Sequence, residues 1–353
     1  MMASLRLSLV LILLLNSELV QAKGLFLSAE SVEATEHGQL LSVSRPAMGT
    51  IFTIMTWAKE AQRERSISTI NKAFEDLEKY ESKISSWRES SDTHRLNTNG
   101  YKERIKVGSD LEYLVHKSQF WYQRTNGAFD PGSGHLYKFW SRQNGKLQLP
   151  KQEVIDRIRT GGGLAQIDVN QRGILFLQPM VRLDFGGIGK GAAADRIADL
   201  LRSSGVSNFV IDAGGDLSVF GRKGNTPWRV GVKDPRRAGT VAVFHGSGSY
   251  SLATSGDYER YVEIQGRRFS HIVDPRSGWP VQEIVSATVL ADRSVDADAL
   301  ATAVSVLGIN EGIKLINERD NTEVLIIDKD GREYLSKGWK RSGYLLQVVG
   351  GTP

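Results

Sequence analysis

The densest grouping of residues able to do chemistry lies between Arg182 and Asp216, where glycine, one lysine and carboxylates crowd together. Arg182-Leu183-Asp184-Phe185 reads as a short strand, Gly186-Gly187-Ile188-Gly189-Lys190-Gly191 strips side chains from the backbone, and Ala192 to Arg202 has helical composition. Strand, glycine turn and helix start make an anion-binding arrangement, because free amides and the helix dipole both favour negative charge there. The run is neither GxGxxG nor GxxxxGK[ST], so it satisfies neither the dinucleotide nor the P-loop fingerprint. Taken alone it serves equally well as a tight packing corner. A second turn, Asp212-Ala213-Gly214-Gly215-Asp216, follows the apolar strand Phe209-Val210-Ile211.

Two later stretches add side chains with defined chemistry. In Val295 to Leu307, about 100° per residue puts Asp298 and Thr302 on one face and Leu300, Val304 and Leu307 on the other. An oxygen pair at i, i+4 suits half of a hard-cation site, since magnesium takes oxygen ligands and keeps positions for water and phosphate oxygens. The plain alternative is a solvated aspartate and a threonine bonded back to its own helix. Ser255-Gly256-Asp257-Tyr258 and then Phe269-Ser270-His271-Ile272-Val273-Asp274-Pro275-Arg276-Ser277-Gly278 bring a histidine to a strand end beside an Asp-Pro turn. His271 is either a proton acceptor with Asp257 or Asp274 as its orienter, or a structural histidine. Lys190 either adds positive potential at the glycine turn or pairs a carboxylate.

Elements able to hold these groups alternate along the chain. Ile67, Ile70, Phe74, Leu77 and Ile84 fall near helical spacing, as do Leu111, Leu114, Val115, Ser118 and Trp121, with a polar, loop-like stretch from Trp87 to Asn99 between them. From Ile167 short strands dominate: 174–177, 228–232, 241–244, 258–264, 286–290 and 324–328. Hairpin turns such as Gln265-Gly266 and Asp330-Gly331 make much of the sheet antiparallel. The expected class is α+β, with mixed, largely antiparallel sheets covered by helices.

Met1 to Arg6, the apolar Leu7 to Leu15 and Val20-Gln21-Ala22 have the form of a secretory leader. The expectation is cleavage near Ala22, a periplasmic location, and a single domain over residues 23–353. The chain has no cysteine, which excludes disulfides, thiol catalysis and a lipid anchor on cysteine. A net charge of +5 is scattered without basic runs, so nucleic acid is not an expected partner and an anionic small ligand is.

The three constellations, with Pro46-Ala47-Met48-Gly49-Thr50 and Gly127-Ala128-Phe129-Asp130-Pro131 before them, resemble the ApbE-type FAD:protein FMN transferase family in an ordered set over residues 45–308. The resemblance implies a ligand cleft between two packed lobes and a magnesium-dependent enzyme that splits FAD. FMN would pass through a phosphoester to a threonine or serine of another exported or membrane-bound redox protein. By the same resemblance Met48 and the loop around Trp87 hold the adenosine half, and Ala128, Phe129 and Asp130 contact the nucleotide. Gly186 and Ala192 bracket the diphosphate, His271 and Ile272 sit at the flavin phosphate, and Gly189 (by its carbonyl), Asp298 and Thr302 hold the metal.

Some positions depart from the pattern: Gly189 stands where relatives often have alanine, and Gly132 replaces the usual threonine after Asp130-Pro131. The family's acceptor sequence, Asp-Gly-x-x-Ser/Thr-Gly-Ala-Thr, is absent; Val285-Ser286-Ala287-Thr288 is the nearest stretch, so no self-flavinylation is expected. An FAD pyrophosphatase using water in place of the acceptor hydroxyl, and a non-catalytic periplasmic flavin-binding protein, stand as alternatives.

Overall fold

The computed structural model describes residues 25–27, 38–146, 148–246, 248–257, 261–340 and 345–348. The expected leader at residues 1–22 lies outside the described residues, as does Tyr258. In chain order the elements begin with β1 (Leu25–Leu27), β2 (Gln39–Ala47), β3 (Thr50–Ala58), α1 (Arg63–Ile84), α2 (Asp92–Asn99), α3 (Ser109–Arg124), α4 (Gly134–Ser141) and α5 (Gln152–Arg159). They continue with β4 (Ile167–Asn170), β5 (Gly173–Phe176), α6 (Gly189–Ser203), β6 (Phe209–Ala213), β7 (Leu217–Gly221), β8 (Trp228–Lys233), β9 (Thr240–Gly246) and β10 (Gly248–Gly256). Last come β11 (Tyr261–Ile264), β12 (Arg267–Ser270), β13 (Ile284–Ala291), α7 (Ser294–Asn317), β14 (Glu323–Asp328), β15 (Glu333–Leu335) and β16 (Leu345–Val348).

The expected α+β class holds. An eight-stranded sheet in the order β15-β14-β13-β10-β7-β6-β3-β2 is antiparallel at every pairing. Successive side chains on a strand face opposite ways, so Phe209 and Ile211 enter one core while Val210 enters another, and Val324 and Ile326 part in the same way from Leu325 and Ile327. The first core is closed by Ile70, Phe74 and Leu77 of α1, Ala193 and Ile197 of α6, and Leu300 and Val304 of α7. The second is closed by Val230, Val232, Ala242 and Phe244 from the four-stranded sheet β1-β8-β9-β16. Cover on both faces leaves every position of β6, β13 and β14 buried instead of alternating, Ser286 and Thr288 included.

A smaller lobe forms from α4, α5 and the β11–β12 hairpin around Trp140, Ile155, Ile264 and Phe269. Trp140 stacks on Phe269 and donates its indole N–H to Gly278 O at 2.8 Å, which ties down the segment that follows His271.

Helices α6 and α7 are clipped to each other by carboxylates. Asp195 of α6 accepts from the Ser294 and Val295 amides at the start of α7, at 2.9 and 3.0 Å. Asp298 of α7 accepts from the Gly191 amide at the start of α6, at 3.0 Å. Each acid thus satisfies a donor that a helix start leaves unpaired, at the positive end of the other helix's dipole.

Three expectations from sequence are corrected. Arg182 to Phe185 is not a strand: only Arg182 bridges, to Ser133, because the backbone of Leu183 is bonded on both sides by the Asn97 side chain and Asp184 N donates to Pro131 O. The stretch from Trp87 to Asn99 is not all loop, since Ser91 Oγ caps the His94 amide at 2.9 Å and starts α2, which buries Thr93 and Leu96. Finally, the face of α7 that carries Asp298, expected to stand away from the packing stripe, is packed as well: Leu300 and Val304 are buried as expected, but Asp298 is also only 3% exposed, because α7 is covered by the sheet on one side and by α6 on another.

The Asp195 cap has a measurable consequence. Asp195→Ala leaves two buried amides without an acceptor and is expected to lower the unfolding free energy by about 2 kcal/mol. The urea midpoint should fall at unchanged slope; a midpoint equal to the parent's contradicts the clip.

Candidate active site

A cavity of about 640 Å³ opens between the main body and the smaller lobe. The β2–β3 turn, the segment after α1, the residues around α4, the glycine turn and the segment after β12 form its walls, and the starts of α6 and α7 form its floor. Met48 (φ 50) and Gly49 (φ 73) both adopt left-handed backbone in the two-residue β2–β3 hairpin, as a primed turn requires. Holding a methionine there costs on the order of 1 kcal/mol, and the constraint fixes Met48 at the cavity wall.

The amides of the glycine turn are mostly spoken for. Gly186 N donates to Asp184 Oδ1 at 2.9 Å, Gly189 N to Phe185 O at 2.7 Å, Gly191 N to Asp298 Oδ2 and Ala192 N to Ile188 O at 3.0 Å. Gly187 lines the cavity and its amide makes no hydrogen bond among the described residues, so it is the donor a bound anion would meet. Ala192 is buried and does not line the cavity. Gly189 does not line it either, and as the first residue of α6 its carbonyl points along the helix axis toward the C-terminus. The glycine that meets Thr302 is Gly187: a Cβ there would lie 2.7 Å from Thr302 Oγ1.

The floor is a charge cluster. Lys190 Nζ lies 2.8 Å from Asp216 Oδ2 and 3.5 Å from Asp298 Oδ1. Asp216 holds the site from the β6–β7 turn, where Gly214 (φ 69) and Gly215 (φ 99) make the tight reversal and Asp212 accepts from Gly215 N at 2.6 Å. Burial pushes the Asp298 carboxyl up to about 7 against the pull of Lys190 and the Gly191 amide. Asp212 is also pushed up to about 7, by burial first and then by the charge of Asp216. Thr302 Oγ1 lies 3.3 Å from Ser255 Oγ, so the hydroxyl on α7 is positioned from the end of β10.

His271 follows β12 directly and lines the cavity. The two acids considered as its orienters are engaged by arginines: Asp257 takes both terminal nitrogens of Arg236 at 3.1 and 2.9 Å, and Asp274 pairs with Arg276 at 2.9 Å through two contacts. Ile272, 9% exposed, packs with Ala128 and Val306 and takes its place through Ser270 Oγ, which accepts from Ile272 N at 3.1 Å.

Of the residues singled out from sequence, Met48, Trp87, Ala128, Phe129, Asp130, Gly186, His271, Ile272, Asp298 and Thr302 line one cavity, and Gly189 and Ala192 stand behind it. Trp87 stands at the rim with 76% of its surface exposed. The Asp130 carboxylate is occupied by the Gly132 and Leu164 amides, at 2.9 Å each, and burial raises its pKa. Phe129 is buried in the main core. Sequence reasoning missed Ser255 as a neighbour of Thr302, the close approach of Gly187 to Thr302, and Asp195. A lone aspartate inside a helix carries no signal when the amides it caps lie about a hundred residues on.

Fold and site together define an α+β enzyme with its cleft at the meeting of two helix starts. The chain belongs to the ApbE family, whose profile matches residues 48–326. It is similar to the FAD:protein FMN transferase of Escherichia coli K12, 30% identical over 83% of this chain and 84% of the relative. The enzyme of the same name from Vibrio cholerae is 30% identical over 84% of this chain and 91% of its own length. Among solved structures it is similar to the ApbE protein of Thermotoga maritima (TM-score 0.77, 29% identity, 86% of this chain and 99% of that one). The flavin transferase ApbE of Vibrio cholerae gives a TM-score of 0.75 at 28% identity, with the same coverage.

Close approach of the two helices makes Gly191 the most sensitive backbone position of the floor. A Cβ there would lie 2.9 Å from Asp298 Cβ and run into the Ser294 carbonyl. Gly191→Ala should therefore cost about 3 kcal/mol of stability by overpacking, read as a lowered calorimetric midpoint. An unchanged midpoint would mean that α6 and α7 can part at no cost.

Proposed function

We propose that this protein is a magnesium-dependent FAD:protein FMN transferase. It splits the diphosphate of FAD, joins FMN by a phosphoester to a threonine or serine hydroxyl of another exported or membrane-bound redox protein, and releases AMP. The observation that carries this reading is the convergence of Asp298, Thr302, Lys190, the glycine turn and His271 on one cavity, in a member of a family whose relatives bear that name.

The donor set fits magnesium rather than a metal that needs many side chains. Among the described residues no group of three or more His, Cys, Asp or Glu is arranged to hold a metal ion. One buried carboxylate, Asp298, with the Thr302 hydroxyl and the backbone at Gly187 beside it, is a sparse oxygen set of the kind magnesium completes with water and phosphate oxygens. Bound there, magnesium supplies charge neutralisation for the diphosphate and for the departing AMP.

The chain's own residues do the rest. Gly187 N–H and the Lys190 ammonium hold the anionic diphosphate, while Met48 and Trp87 receive the adenosine half. Ser255 orients the Thr302 hydroxyl. His271 takes the proton of the incoming hydroxyl, the step for which an imidazole near neutral pH is suited. The protein is exported, with residues 1–22 as its leader. The acceptor is a different polypeptide: Thr288, the nearest internal counterpart of an acceptor residue, is 1% exposed in β13 and bonded to Thr254 at 2.8 Å.

Three outcomes are expected. Asp298→Asn keeps an oxygen for the Gly191 amide but removes the ligand charge, so FMN transfer to an acceptor peptide, followed by mass spectrometry, should fall by about a thousandfold or more, on the scale of a lost charge-stabilising group. Magnesium-dependent transfer at the parental rate would remove the metal assignment. His271→Asn should lower the transfer rate by about two to four orders of magnitude and leave FAD affinity within a few-fold. Loss of affinity alone would make His271 a binding contact. Purified protein incubated with FAD and magnesium, then denatured, should carry no added FMN mass; a covalent FMN on this chain would make it an acceptor as well.

A further inference from the structure

Lys190 is anchored in the first turn of α6, and its ammonium sits where a cation is needed. It lies 2.8 Å from Asp216 Oδ2, 3.4 Å from Gly186 O and 3.5 Å from Asp298 Oδ1. Asp216 comes from the β6–β7 turn and Asp298 from α7, and the two side chains are each 5% exposed. Carboxylates this buried and this near one another cannot both stay ionised without a positive charge between them. The lysine is the group that bridges them, and it contacts the same Asp298 whose other oxygen is held by the Gly191 amide.

We propose that Lys190 is a tethered stand-in for the divalent cation: it offsets the negative charge shared by Asp216 and Asp298 while the site holds no metal, and gives up Asp298, but not Asp216, when the metal binds. The inference rests on the reading of Asp298 as a metal ligand. Its physical basis is competition and repulsion. A divalent ion at Asp298 must displace one favourable contact of the ammonium and then bear its charge at close range, so the metal alone binds weakly. The shorter contact to Asp216 keeps the lysine in the cavity, where it faces the same diphosphate. That diphosphate brings negative charge between the two cations and relieves their repulsion. Metal and FAD therefore bind with positive cooperativity, and the site is disfavoured from loading with metal in the absence of substrate.

The test is Mn2+ titration followed by electron paramagnetic resonance, without FAD, on the parent, Lys190→Met, Lys190→Gln and Asp298→Asn. Lys190→Met is expected to bind Mn2+ about tenfold more tightly than the parent, which corresponds to about 1.4 kcal/mol. Without metal it should melt at a lower temperature, and magnesium should raise its melting temperature more than it raises the parent's. Lys190→Gln, which keeps a hydrogen-bond donor for Asp216, should shift affinity in the same direction and carries the test if the methionine variant does not fold. Unchanged or weaker Mn2+ binding in the lysine variants, with binding lost in Asp298→Asn, overturns the stand-in role and leaves the metal site standing. Undiminished binding in Asp298→Asn overturns both.

Discussion

The structure depends on two helix starts that cap each other. Donors left unpaired at the start of a buried helix must find acceptors, and in α6 and α7 the acceptors are aspartates of the partner helix, Asp195 for Ser294 and Val295 and Asp298 for Gly191. The exchange works only because Gly191 lets the backbones touch. It also determines where chemistry can occur. Asp298 is held by one oxygen, and its other oxygen is turned to the cavity floor beside Lys190. A structural cap and a ligand for a cation are thus the same carboxylate.

Around that point the fold supplies what a charged substrate needs. The eight-stranded sheet is buried on both faces, which makes it a rigid base for the β2–β3 and β6–β7 turns that carry Met48 and Asp216 to the site. The smaller lobe brings His271 to the opposite wall and is fixed by the Trp140 indole on Gly278. Burial raises the carboxyl of Asp298 on the floor and of Asp212 in the turn behind it, with the charge of Asp216 adding to both. Lys190 and the dipole of α6 offset the cost of charge on the floor.

Much of this was legible in the amino-acid sequence, and the failures have physical causes. Glycine clusters, hairpin turns and the Asp298–Thr302 spacing are local signals, and they pointed to the right segments. The order of motifs pointed to the family and, through it, to Met48 and Trp87 on the cavity wall. Local patterns misled where distant partners decide the outcome. Arg182 to Phe185 has strand composition, but Asn97 takes its backbone bonds. A helical wheel placed Asp298 opposite the packing stripe, but it could not show that α6 packs against that face too. Nor could it show that Gly187 is the glycine packed against Thr302.

The most direct test of this account is the anomalous signal of a crystal soaked in Mn2+ together with FAD. The account predicts one strong peak bonded to the Asp298 oxygen that faces the cavity and to Thr302 Oγ1, with the other Asp298 oxygen still accepting from Gly191 N–H and Lys190 drawn toward Asp216. A peak elsewhere, or an Asp298 that turns both oxygens to the metal and abandons Gly191, would contradict it.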